Sequence, residues 1–220
     1  MKLSETFYQN TNVTAVARSL LGKYLFTRIN GQLTGGYIVE TEAYNGIIDK
    51  ASHAYGNRLT PRTKIMFEDG GVAYVYLCYG IHEMLNVVTS VSGQPHAVLI
   101  RAVNPTEGID IMMTRRNMAV IKPTITAGPG SVCKALGISR KINGISLQSN
   151  VLWIEDQGLN IPDDQVAVVP RIGIAYAGED ASLPYRFYVK DNVYVSKRVT
   201  KRVTKRVTKR IKEIGDTIGT

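Results

Sequence analysis

Two carboxylates spaced two residues apart are the first chemistry that the chain offers. In the stretch GYIVETEAYNG, residues 35–45, Glu40 and Glu42 are followed at the same spacing by Tyr44. Side chains alternate faces along a strand, so these three share one side and Val39, Thr41 and Ala43 take the other. A carboxylate leaning toward a core is costly unless it is paired or has chemistry to do. A solvated sheet face is the plain alternative, and periodicity alone does not choose between them. Further along lie His53, Arg58 and Arg62 in SHAYGNRLTPR, the tyrosine-rich AYVYLCYGIHEMLN, and Arg101 in HAVLIRAVNP.

The elements that must position these residues can be read in outline. Residues 11–25, TNVTAVARSLLGKYL, read as a helix capped by Thr11 or Asn12 and stopped by Gly22. A hairpin follows, turning at Asn30-Gly31. Residues 45–71 are loop-rich. VAYVYLCYGIHEMLNVVTSV reads as a second hairpin turning near Gly80, and HAVLIRAVNP as a further strand. GIDIMMTRRNM and GPGSVCKALGIS read as helices. VLWIEDQ, VAVVPRIGIAYAG and PYRFYVKDN supply late strands. Strands with a few helices around them predict an α+β single domain: a curved, mainly antiparallel sheet with a protruding hairpin.

Composition bounds the function. The chain has 220 residues, 44% of them apolar, which suits one domain or a compact pair. No apolar run approaches a membrane span, and MKLSETFYQN lacks the apolar stretch of a secretory signal. Cys78 and Cys133 match no metal spacing, and the three histidines (His53, His82, His96) form no H-x-x-x-H pattern. No structural zinc and no cofactor is expected, and free thiols fit a cytosolic protein. The net charge of +9 is uneven: residues 197–220 hold nine Lys or Arg and two acids, +7, which leaves +2 for residues 1–196. That division predicts a folded body at 1–196 and a basic tail built on three KRVT repeats, either a narrowly amphipathic helix or a disordered segment. A basic tail argues for a polyanionic partner.

Read together, LLGKYL, IVETEAY, SHAYGNRLTPRTKIMF, YVYLCYG, LIRAVNPTEG, GPGSVCKALGI, RIGIAYAG and PYRFYVK resemble, in order and spacing, the alkyladenine (3-methyladenine) DNA glycosylase family of the methylpurine-glycosylase type. The match spans roughly residues 5–196. The resemblance implies a monomeric DNA-repair enzyme that acts, in the bacterial cytoplasm beside the nucleoid, on double-stranded DNA containing damaged purines. It would flip an alkylated or deaminated purine from the duplex and hydrolyse its N-glycosylic bond. It implies Tyr79 as the residue that intercalates into the gap, and Tyr44, His53 and Tyr76 as walls of the base slot. Asn86 would read the base edge. Glu42 would be the carboxylate that activates water, and Arg101 the cation beside it. Glu40 belongs to the motif without an implied role. No lysine falls on the matched pocket positions, so hydrolysis without a strand-nicking step is expected.

This assignment makes a geometric demand. Tyr76 and Asn86 must face one pocket, and opposed residues of an antiparallel pair share a face. The hairpin loop must then be odd in length, as in Tyr79-Gly80-Ile81 with Cys78 opposite His82. The chain departs from the mammalian pattern at His82 and Glu83, where aromatic residues are usual. Glu83 would repel phosphate unless it points away. The tail is no part of the family pattern; phosphate contacts there predict that its deletion flattens the salt dependence of DNA binding. Two rivals stand beside this reading. One is a non-catalytic nucleic-acid-binding module, which needs no desolvated carboxylate. The other is a nucleoside hydrolase, which has no gap for a wedge to fill.

Overall fold

The computed structural model describes residues 1–198; the KRVT tail beyond them, with the expectations placed on it, lies outside the described residues. Among the described residues eight strands form one sheet: β1 (Tyr24–Ile29), β2 (Gln32–Tyr44), β3 (Ala73–Cys78), β4 (His82–Thr89), β5 (His96–Glu107), β6 (Leu152–Glu155), β7 (Val166–Val169) and β8 (Arg186–Val189). Every pairing is antiparallel. The main path runs β3-β4-β5-β2-β1-β6, with β8 on the far half of β2 and β7 on β8. Four short α-helices accompany it: α1 (Glu5–Tyr8), α2 (Val13–Ser19), α3 (Ile109–Arg116) and α4 (Pro129–Leu136). The α+β single domain is as expected. Among the described residues no helix is long and apolar enough to cross a membrane.

Local chemistry explains most boundaries. The Asn12 side chain accepts from the Ala15 N–H and caps α2. Asn30 and Gly31 both take positive φ, 53° and 77°, as a tight hairpin turn requires. The middle of β2 needs Gly36, where a Cβ would overlap the Asn104 carbonyl of β5. One expectation fails. VAVVPRIGIAYAG is not a strand throughout: β7 stops at Val169, ahead of Pro170, and Ala175–Ser182 is 3-10 helical. Pro170 has no N–H for a ladder, and Gly173 and Gly178 take φ values of 75° and 60° that bend the chain. Helix α1, one turn long, carries no periodicity that would have announced it.

The two faces of the sheet do different work. Val39 and Ala43 of β2, Leu85 and Val87 of β4, and Val98 and Ile100 of β5 join the main core with α2 and α4. On that face the Thr41 hydroxyl donates to the Ala17 carbonyl at 2.8 Å. The opposite face carries Glu40, Glu42 and Tyr44, covered by residues 45–71 and the segment around 171–182. A smaller cluster of Ala54, Ile65, Met66, Tyr74, Val88 and Ala97 packs there.

Candidate active site: an aromatic slot backed by buried ion pairs

Strand register brings distant residues into one row. Tyr74 opposes Asn86, Asn86 opposes Leu99, Leu99 opposes Glu42, and Glu42 opposes Arg186. The next position along β3 is Tyr76, opposite Met84. Cys78 opposes His82, so the hairpin loop is Tyr79-Gly80-Ile81 and Tyr76 and Asn86 share a face, as expected. Tyr79 and Gly80 both take positive φ, 50° and 74°, which folds the tip tightly. The tip is bare: Tyr79 is 88% exposed and Ile81 71%.

Tyr44, His53, Tyr76 and Asn86 all line one narrow cavity of about 40 Å³, together with Tyr74 and Tyr176. The volume suits a few waters rather than a purine. It adjoins a cavity of about 390 Å³ that shares Ala51, Ser52, His53 and Tyr176 and adds Lys50, Arg58 and Arg62. The rings meet edge-on: the centroids of His53 and Tyr76 lie 4.6 Å apart at 76°. The Arg62 guanidinium lies 4.9 Å from the Tyr76 ring and reaches His53 Nε2 at 3.3 Å. A guanidinium only donates, so Nε2 accepts and the proton belongs on Nδ1, which donates to the Tyr74 hydroxyl at 2.9 Å. Burial, aided by the charges of Arg62 and Arg58, lowers the His53 pKa to about 4, which keeps the ring neutral. Arg171 backs the other wall. It pairs with Asp49 through two bonds, 2.5 and 2.8 Å, and lies 4.8 Å from the Tyr44 ring.

Behind Tyr44 lies a buried ion network. Glu40 and Glu42 are both 0% exposed and Arg101 is 8% exposed. The β2–β5 register is irregular on both sides of Glu40, and there Arg101 turns its guanidinium between the two carboxylates. Its Nε meets Glu40 Oε1 at 3.0 Å and its Nη1 meets Glu42 Oε2 at 3.1 Å. Burial opposes the charge on Arg101, but Glu42 and Glu40 outweigh it and hold the pKa above the ordinary arginine value. Arg186 Nε adds a bond to Glu40 Oε1 at 2.7 Å. Two guanidiniums thus balance two carboxylates.

The two carboxylates differ in how many donors they accept and in what they face. A carboxylate has about four acceptor sites, two on each oxygen. Glu42 Oε2 accepts from Tyr44 Oη (3.0 Å) and Arg101, and Oε1 accepts, among the described residues, only from the Ile172 N–H (2.8 Å). One site on Oε1 stays open among them. Glu40 accepts four donors: Arg101 Nε, Arg186 Nε and Ser196 Oγ (2.9 Å) crowd Oε1, and the Ser196 N–H (2.7 Å) reaches Oε2. Glu42 does not itself line the slot; it meets the slot through the Tyr44 hydroxyl, whose pKa burial and the Glu42 charge push well up. Among the described residues no three His, Cys, Asp or Glu side chains are grouped to hold a metal ion.

Sequence reasoning missed several of these groups. Arg186 carried a readable signal, a charge alternating with apolar residues on a strand. Arg171, Asp49, Tyr74, Tyr176 and Ser196 were passed over, and Ile172 contributes only its backbone. Glu83 is paired: its Oε1 accepts from Arg140 Nε at 3.3 Å.

Comparison with known proteins identifies the family. A family model described as methylpurine-DNA glycosylase (MPG) matches residues 6–193. A protein of Alkaliphilus oremlandii is 42% identical over 205 residues, covering 90% of this chain and 100% of its own. One from Chlamydia felis is 45% identical over 198 residues, with the same two coverages, and one from Clostridium perfringens 43% over 206. All three bear the name "Putative 3-methyladenine DNA glycosylase". The chain therefore belongs to the methylpurine-DNA glycosylase family, and it is a DNA glycosylase, a hydrolase of N-glycosyl bonds whose substrate is DNA.

Proposed function

We propose that the protein flips an alkylated or deaminated purine, 3-methyladenine or hypoxanthine, out of duplex DNA and cleaves its N-glycosylic bond with water activated by Glu42. The observation that carries this reading is the open acceptor site on Glu42 Oε1. A general base must accept the water's proton, and only an unfilled site can do so. The same negative charge faces the positive charge that develops on the sugar in an oxocarbenium-like transition state. Arg101 balances the charge of the buried carboxylate.

Tyr44, His53 and Tyr76 form the slot for the extruded base. Ring faces attract electron-poor, often cationic, alkylated purines by about 0.5–2 kcal/mol per contact. A neutral His53 adds no charge to repel such a base. Asn86, buried and held to the Tyr74 carbonyl at 3.3 Å, is placed to meet the base edge. Entry of a purine requires the mouth to give way, and exposed Tyr176 and Arg62 stand there. Tyr79, on its bare tip, fills the gap left in the stack and offsets part of an unstacking cost of a few kcal/mol. Among the described residues no lysine lines the slot, which favours monofunctional hydrolysis over Schiff-base chemistry. The protein acts as a monomer, in the cytoplasm where the chromosome is, with residues 1–196 as the catalytic body and the basic tail adding phosphate contacts.

The deciding experiment is single-turnover release of 3-methyladenine or hypoxanthine from a duplex. Glu42→Gln should lower the rate by about 10²–10⁴-fold, the range of a lost general base. Equal rates for both proteins would remove Glu42 from the mechanism.

A further inference from the structure

Glu40 lies two residues from Glu42 on the same face, is fully buried, and already accepts four hydrogen bonds, three of them on Oε1. It has no part in the chemistry proposed above, yet it shares Arg101 with Glu42. We propose that Glu40 and Ser196 are positioning residues: they hold the Arg101 guanidinium so that it gives Glu42 one bond and not two, and they tie the C-terminal segment to the catalytic carboxylate. This inference rests on the reading of Glu42 as the base.

The geometry of the guanidinium carries it. Arginine's fork is planar and prefers to grip one carboxylate through two parallel bonds. Here the fork is split, with Nε on Glu40 and Nη1 on Glu42. Fixing Nε fixes the plane, and the plane fixes where Nη1 can reach. Released from Glu40, the fork is free to close on both oxygens of Glu42. It would then fill the Oε1 site that a water needs. Glu40 thus protects the basicity of its neighbour.

Glu40 in turn is held from the end of the described chain. The Ser196 N–H and hydroxyl both donate to it, 156 residues away in sequence. Val195 beside it is buried, and Arg186 Nη2 donates to the Lys197 carbonyl. Arg198 Nη2 reaches the Asn192 carbonyl at 2.8 Å and closes the segment on itself. These contacts lay the segment around Ser196 against the ion network, where the basic tail begins.

The test uses the full-length protein in single-turnover excision from a lesion duplex at saturating enzyme. Glu40→Gln should lower the plateau rate by about 10–100-fold, the scale of a positioning error, with unchanged duplex affinity. Glu40→Asp keeps a carboxylate for Arg101 and should recover part of that rate. Ser196→Pro removes the N–H and the hydroxyl together and should act in the same direction as Glu40→Gln but less strongly; if Glu40→Gln does not fold, it decides alone. A wild-type plateau rate in both variants would overturn the proposal. So would a rate loss that tracks melting temperature, with Glu40→Asp no better than Glu40→Gln. Glu42→Gln, run in parallel, separates the two readings: full activity there rejects Glu42 as base, whereas an inactive Glu42→Gln beside unaffected Glu40 and Ser196 variants rejects only the positioning roles.

Discussion

The ion network behind Tyr44 and the hairpin tip at Tyr79 are built on opposite principles. In the network, Glu40, Glu42, Arg101 and Arg186 are buried, and Glu40 accepts four hydrogen bonds. At the tip, Tyr79 and Ile81 stand in solvent without neighbours to cover them. Charge stabilisation needs dipoles that are already in place when the reaction occurs, because reorganising them would cost what they supply. A wedge needs the reverse, since its apolar surface is meant to be covered by DNA. One region is tied to the stability of the fold, and the other is nearly independent of it.

The sharpest way to break that contrast is Arg186→Leu. It leaves Glu40 with one guanidinium instead of two in a buried setting, and should cost about 3–5 kcal/mol in urea denaturation. A loss under about 0.5 kcal/mol, the surface scale, would mean that the network is far wetter than its burial suggests. Tyr79→Ala should show the opposite pattern. Melting should be unchanged, while lesion-duplex binding weakens by about 1–3 kcal/mol, the scale of one base–aromatic stack. Unaltered binding in a fluorescence titration would deny the tip its role.

Two smaller effects sharpen the comparison. His53 is neutral in the fold, with a pKa lowered to about 4 from about 6.5. Below about 6.5 the unfolded chain takes up the proton and the folded chain does not, so its contribution to stability falls as pH drops from there toward 4. Melting curves of wild type and His53→Gln should therefore converge on acidification; curves that stay parallel would place a charged ring in the fold. Glu83→Gln, which breaks the partly exposed pair with Arg140 near the tip, should change stability by about 0–1 kcal/mol. It should strengthen duplex binding slightly, because Arg140 is then free for phosphate. Weaker binding would show that the pair braces the hairpin.

Much of this site was legible before folding was considered. The alternation of β2 put Glu40, Glu42 and Tyr44 on one face, and the demand that Tyr76 and Asn86 meet gave an odd hairpin loop, which the register bears out. The strand expected through Pro170 was not realised, because apolar residues after a proline look like a strand until the missing N–H is counted. The different states of the two glutamates left no trace in the stretch ETEAY.

Spacing alone determined which side chains face together, because two soft dihedrals per residue set a strand's period wherever the strand lies. Tertiary structure alone decided that Glu40 accepts four donors and Glu42 three. Their donors come from β5, β8, the Ile172 backbone and Ser196, up to 156 residues away. Filling a lone pair depends on what the whole chain brings within 3 Å or so of it, and no local pattern records that.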